Sequence, residues 1–150
     1  VVPDLLTALL AEPYLHLPPP KSTGRDLFHA DWLAGHLAAH AGAAPQDVQA
    51  TLVELTASAC ADCARSYGND SKFLVVCGGG VFNTQLMERL QALLPGVAVE
   101  PSDAWGLPAQ QVEATAFAWL ARQALLGATG SLESVTGARG ARVLGAIYPA

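Results

Sequence analysis

The feature that most constrains this chain is an unbroken apolar run, Phe73-Leu74-Val75-Val76-Cys77, ending in Gly78-Gly79-Gly80. A short apolar run bounded by turn residues reads as a strand buried on both faces. Such a strand is ill suited to a sheet edge, where open N–H and C=O groups invite foreign pairing, so it demands neighbours. From Phe82 to Leu94 the spacing predicts a helix with Leu86, Leu90 and Leu93 on one side. Pro95-Gly96 then turns the chain, and Val97-Ala98-Val99-Glu100 predicts a second, short strand. Strand, helix, strand, helix is the order of an α/β fold.

The remainder reads mostly as helix. Ala and Leu dominate while aromatics make up only 7%, a composition that favours helices over strands. Residues 4–12 predict a short helix with Asp4 as N-cap, ended by Pro13. Residues 13–26 carry four prolines and a glycine, so they predict an extended segment or ordered loop. Residues 30–41 predict a second helix with Leu33 and Leu37 on one side, stopped by Gly42. Pro45 opens a third at its first position. There Val48, Leu52, Leu55, Ala59 and Cys63 line one face down to Gly68. Residues 101–107 predict a loop, and Pro108 starts a long helix to Leu126, capped by Gly127. Residues 131–140 read as irregular and residues 142–148 as a final strand. Three strands make a thin sheet, so the strand at 73–77 wants neighbours that this chain does not supply.

Composition narrows the function classes. At 150 residues the chain fits one domain, given about 100–200 residues per domain. A hydrophobic share of 51% excludes a disordered chain. Eight basic against 13 acidic residues argue against a nucleic-acid face. No apolar run approaches the ~20 residues that span a bilayer. Three cysteines leave one over in any disulfide scheme, so free thiols in a reducing cytoplasm are expected. No signal-peptide pattern is visible, and a start at Val1-Val2-Pro3 reads as a processed, tagged or cut piece.

Two places carry a chemical signal. Glycines at 78–80 let a ligand approach the backbone, and the helix that follows offers unpaired N–H groups and a positive dipole end. A nucleotide or another anion suits such a turn, with Asn83 placed to bond a base or ribose; a tight strand-to-helix turn is the bland alternative. It is neither a Walker loop, lacking Gly-Lys-Ser/Thr, nor a G-x-G-x-x-G, because residue 83 is Asn. Glu113 is the second. It heads the apolar stripe of Phe117, Leu120 and Ala124. A lone buried carboxylate is costly, so Glu113 either reaches water at the core's edge or lines a cleft. A first-turn acid also suits the helix dipole.

Weaker patterns favour packing. Cys60 and Cys63 have C-x-x-C spacing but no second pair or nearby His, so zinc is not expected. His36 and His40 are i,i+4, but residue 37 is Leu, so there is no H-E-x-x-H motif. Lys21, Ser22, Thr23, Gly24 and Arg25 follow a proline clamp, which marks a functional or architectural loop.

Several stretches, in order along nearly the whole chain, resemble the C-terminal part of the anhydro-N-acetylmuramic acid kinase family. They are Pro20-Lys21-Ser22-Thr23-Gly24-Arg25-Asp26-Leu27-Phe28, Val48-Gln49-Ala50-Thr51-Leu52-Val53-Glu54-Leu55-Thr56, and Val76-Cys77-Gly78-Gly79-Gly80 with Asn83. Glu113-Ala114-Thr115-Ala116-Phe117-Ala118-Trp119-Leu120-Ala121 follows. Ser134-Val135-Thr136-Gly137-Ala138 and Val143-Leu144-Gly145-Ala146-Ile147-Tyr148-Pro149 complete the set.

The resemblance implies an α/β fold of the actin, Hsp70 and sugar-kinase group, of which this chain would be the C-terminal lobe, helix-rich with a thin, incomplete sheet. It implies a cytoplasmic enzyme of cell-wall recycling that uses ATP and Mg2+. That enzyme opens the 1,6-anhydro bridge of its amino sugar with water and phosphorylates O6. By this resemblance Gly78, Gly79 and Gly80 form the adenosine-side loop, Asn83 lies near the base and Glu113 faces the sugar. The loop Lys21, Ser22, Thr23, Gly24, Arg25 is a hallmark without an assigned role. No metal ligand is expected in this chain. Family members are more than twice as long. Their phosphate loop and catalytic aspartate lie upstream of the matched region, so this chain is expected to be inactive alone and to pair with the missing N-terminal lobe. A homodimer is also allowed, and neither nucleic acid nor membrane is expected as a partner.

Two other readings compete. In a Rossmann-like domain binding nicotinamide or S-adenosylmethionine, an acid about 20 residues after the glycines holds the ribose, and Glu100 occupies that place. Too little chain follows Glu100 for a complete doubly wound sheet. A non-catalytic nucleotide-binding or scaffold piece is the third reading.

Overall fold

Pro45 sets the start of the longest helix, and the N-terminal half is built against it. The computed structural model describes residues 1–148. Helix α1 spans Pro3–Leu10, α2 spans Ala30–Leu37 and α3 spans Pro45–Tyr67, as their sequence patterns predict to within a few residues. The exception is the cap of α1: Val2 caps it, and the expected cap, Asp4, lies in its first turn because Pro3 opens the helix. Leu5 and Leu9, one turn apart on α1, are fully buried against Leu55 of α3. Val48, Leu52, Trp32, Leu37 and Leu15 close around them. Each fully buried leucine contributes about 1.5–3 kcal/mol. Buried Thr51 ties the two helices, accepting from the Val2 amide at 2.8 Å while donating to the Asp47 carbonyl at 2.7 Å.

Helix α3 has a second packed row that the spacing of Val48, Leu52 and Leu55 does not announce. Val53, Ala57 and Ala61 are buried at i, i+4 and i+8. Beyond α3 the chain forms strand β1 (Phe73–Val76), helix α4 (Thr84–Leu93) and strand β2 (Ala98–Pro101). Helix α4 packs on α3. Arg89 forks onto the Glu54 carboxylate at 2.6 and 2.9 Å, and the Arg65 guanidinium donates to the Leu93 carbonyl at the end of α4 at 2.8 Å.

The strands pair in parallel, Phe73 with Ala98 through Val76 with Pro101. The fold is thus helix-rich α/β with a two-stranded parallel sheet among the described residues. Gln91 of α4 lines the far edge of β2, accepting from the Val99 amide and donating to the Val97 carbonyl, each at 3.0 Å. Strand β1 has no second strand neighbour among the described residues. The expectation of burial on both faces is overturned here: Phe73 is 51% and Val75 43% exposed. On that face the Trp105 ring stands edge-on to Phe73 at 5.2 Å.

The expected final strand at 142–148 is absent. Gly145 sits at φ +94°, which breaks an extended run, and no partner strand is at hand among the described residues. The segment instead returns along helix α5 (Val112–Leu125), with the Arg142 carbonyl accepting from the Gly130 amide at 3.0 Å. One helical turn, α6 (Glu133–Thr136), interrupts the stretch expected to be irregular. Pro149, part of the last matched stretch, lies outside the described residues. No helix among the described residues is long and apolar enough to cross a membrane.

Candidate functional site

Strand β1 delivers the chain to Gly78, whose backbone stands at φ +76°, a conformation that glycine alone adopts readily. A Cβ placed on Gly78 or Gly79 would meet no atom within 4 Å, so the backbone here is open to an approaching group. A tight 3-10 turn, Gly79–Phe82, leads into α4. Asn83 is the N-cap of that helix and not a residue of its first turn: its Oδ1 accepts from the Leu86 amide at 3.1 Å. A local backbone donor thus explains one end of the Asn83 side chain and leaves its NH2 to donate to a ligand.

The glycine turn is tied to a second element. The Gly78 amide donates to the Ala109 carbonyl at 2.9 Å. Ala109 is buried and opens the 3-10 turn Ala109–Gln111 that precedes α5. This bond sets the 3-10 turn Ala109–Gln111 beside the glycines, and α5, with Glu113 in its first turn, follows directly from it. Helix α5 starts four residues later than expected, because Pro108 leads into the 3-10 turn first. Glu113 is exposed, and no residue of α5 is buried. The side chain is therefore on the open surface of these residues and is not part of their core.

The loop at 21–25 lies elsewhere, in the helical half. Lys21 holds the local backbone together. Its ammonium donates to the Tyr14 and Leu15 carbonyls at 3.1 and 2.8 Å and lies 5.1 Å from the centre of the Tyr14 ring. It thereby clamps the 3-10 turn Pro13–His16. Tyr14, Phe28, Trp32 and His36 follow in an edge-to-face series, and the Trp32 indole donates to Glu12 at 3.0 Å. Pro20 abuts Gly137, where a Cβ would come within 3.2 Å of the ring. A groove of about 640 Å³ runs past Lys21 and is lined by Tyr14, His16, Cys60, Asp62 and Tyr67. A second, of about 540 Å³, is lined by Phe28, Trp32, Leu33, Leu52, Leu55 and Thr56. Neither groove reaches the glycines or Glu113.

The remaining sequence candidates are occupied by packing. Desolvation in the groove, and next the neighbouring Cys63, push the Cys60 thiol up from its ordinary value, which opposes thiolate chemistry. Glu100 accepts from the Trp105 indole at 2.9 Å, so the acid that a ribose would need is engaged. Sequence reasoning missed Asp103, whose Oδ2 accepts from the Ala109 amide at 3.1 Å. An Asp two residues past a strand end is a turn-forming signal that could have found it.

Against known proteins, residues 1–150 match the family described as Anhydro-N-acetylmuramic acid kinase. Relatives bearing that name include one from Albidiferax ferrireducens, 63% identical over 147 residues, covering 98% of this chain and 38% of the relative. One from Variovorax paradoxus is 63% identical over 150 residues, covering 100% of this chain and 40% of the relative. One from Cupriavidus pinatubonensis is 57% identical over 147 residues, covering 97% and 39%. The chain thus spans about two-fifths of the length of the curated relatives it matches. With a match that runs from end to end, the chain belongs to the anhydro-N-acetylmuramic acid kinase family.

Proposed function

We propose that residues 1–150 form the C-terminal lobe segment of a two-lobed sugar kinase. In the reaction we assign to it, water adds at C1 of 1,6-anhydro-N-acetylmuramic acid and the C1–O6 bond breaks. O6 takes the γ-phosphoryl group of ATP, and ADP leaves with N-acetylmuramic acid 6-phosphate as the sugar product. The setting is cytoplasmic peptidoglycan recycling. The observation that carries this reading is the Gly78–Ala109 hydrogen bond, which supports bringing a nucleotide-side turn and a sugar-side carboxylate to one place.

The roles divide between the two elements. Open backbone at Gly78 and Gly79, with Gly80 next in the turn against Leu86, receives the adenosine side, with the Asn83 NH2 as donor to the base or ribose. Glu113 receives hydroxyl or amide donors of the sugar. Phosphoryl transfer further needs positioned phosphates, a metal and an activated nucleophile. Among the described residues no group of three His, Cys, Asp or Glu is placed to hold a metal ion. Mg2+ is commonly held by one or two carboxylates plus substrate phosphates, and on this reading its ligands come from the nucleotide and the remainder of the enzyme. The phosphate loop and the catalytic aspartate are assigned to the remainder of the enzyme, and the chain alone is inactive on this reading.

The test is Glu113→Ala in the full-length kinase. The KM for the anhydro sugar should rise at least tenfold, the loss of about 1.4 kcal/mol of binding, while ADP affinity stays unchanged. An equal loss of sugar use and nucleotide affinity would contradict the assignment.

A further inference from the structure

The glycine turn is held by a two-bond relay that ends on a side chain. Asp103 Oδ2 accepts from the Ala109 amide at 3.1 Å, and the Ala109 carbonyl accepts from the Gly78 amide at 2.9 Å. One residue, 3% exposed, thus passes the position of an exposed carboxylate to the first glycine. The register explains why these groups meet. Val76 pairs with Pro101, so the glycine turn leaves β1 and the Ser102–Trp105 turn leaves β2 at the same carboxyl end of the sheet. In parallel α/β sheets that end is where ligands bind. Gly78 needs such an anchor, because a glycine is free to leave φ +76° for many other backbone conformations unless its surroundings hold it. Nothing packs against its Cα on the ligand side, since a Cβ there would meet no atom within 4 Å.

We infer that Asp103 is a positioning residue for nucleotide binding: it fixes Ala109, and through Ala109 the backbone of Gly78, without touching the nucleotide. This rests on the reading of residues 78–80 as the nucleotide loop. It also predicts that nucleotide affinity and the placement of Glu113 are coupled, because both hang from the 109–113 segment.

The experiment uses the full-length kinase with a fluorescent ADP analogue as probe. It compares wild type, Asp103→Ala, Asp103→Asn and Gly78→Ala, with hydrogen exchange read at Gly78 and across β1 and β2. Asp103→Ala should raise the Kd about tenfold, the size of one charge-assisted hydrogen bond. It should speed exchange at Gly78 and leave β1 and β2 amides as protected as before. Asp103→Asn keeps an acceptor oxygen and should recover most of the affinity, which a merely destabilising loss would not do. Gly78→Ala forces a side chain into the positive-φ position and separates the two readings. If Gly78→Ala weakens binding while Asp103→Ala leaves Kd and Gly78 exchange unchanged, the positioning role is wrong and the nucleotide loop stands. If neither substitution alters Kd, the nucleotide loop itself is wrong and the positioning role falls with it. If Asp103→Ala unprotects β1 and β2 together with Gly78, the residue serves the sheet at large, which also overturns the inference.

Discussion

Helices α1 and α5 have similar Ala- and Leu-rich compositions and opposite fates. Leu5 and Leu9 of α1 are fully buried, whereas Phe117, Leu125 and the adjoining Leu126 of α5 stay 63%, 74% and 62% exposed. Propensity does not separate them; a partner face does. Helix α1 finds α3 within the chain, while the C-terminal segment covers α5 only thinly, with Leu120 and Leu144 meeting around Gly130. An isolated helix shorter than about 12–15 residues is marginal in water, so a 14-residue α5 needs its apolar sides covered. On the proposed reading the rest of the kinase covers them, and the two halves differ in whether their core lies within these residues.

The sharpest way to break that contrast is to cut the same kind of side chain from both halves. Leu9→Ala should cost about 2–5 kcal/mol of unfolding free energy, measured by urea denaturation followed by circular dichroism. Phe117→Ala in this chain should cost under about 0.5 kcal/mol, as at a surface site, but about 3–5 kcal/mol in the full-length kinase. Equal, small costs for Phe117→Ala in both settings would show that α5 is never covered.

Removal of Lys21 probes how the helical half organises its loop. Lys21→Met keeps the aliphatic stem but removes the charged donor from both carbonyls, leaving Tyr14's with the Leu17 amide and Leu15's without its Lys21 donor, and should cost about 1–3 kcal/mol. The loss should appear as faster hydrogen exchange in residues 13–28, with α5 unaffected. A smaller effect is expected at the α3–α4 contact. The hydrogen bond from Arg89 holds the Glu54 carboxyl below its ordinary value of 4.5. The stability it contributes is complete above that value and is lost as pH falls through the lowered one. Glu54→Gln should therefore lower Tm slightly at neutral pH, with the gap to wild type closing as pH falls below about 4.5, so that the acid limb of Tm against pH is flatter. An unchanged acid limb would show that the pair adds nothing to the α3–α4 contact.

How much was legible in the sequence follows the same divide. Helices that pack within the chain were readable from spacing and punctuation: Pro45 and Gly68 bracket α3, and Val48, Leu52 and Leu55 face α1 as their period predicts. The β1–glycine–helix unit was readable for the same reason, since its strand, turn and helix signals are local. The final strand misled because an apolar stretch of strand-like residues says nothing about a partner, and Gly145 adopts a positive φ that sequence does not advertise. Burial of β1 misled because period and composition report what a segment wants, not what this chain supplies. Asn83 and Glu113 were visible as residues, but the Asn83 cap and the Gly78–Ala109 bond are matters of distance. Lys21 stood out by its company, yet its role depends on carbonyls six and seven residues away being turned toward it.

The most direct measurement is ADP release from ATP with 1,6-anhydro-N-acetylmuramic acid and Mg2+. It is run on this chain alone, on the separately produced remainder of a full-length relative, and on their mixture. Turnover is expected only in the mixture, accompanied by slowed hydrogen exchange in α5. Turnover by this chain alone would contradict the proposed division of the site, because the glycine turn and Glu113 would then suffice without the other lobe.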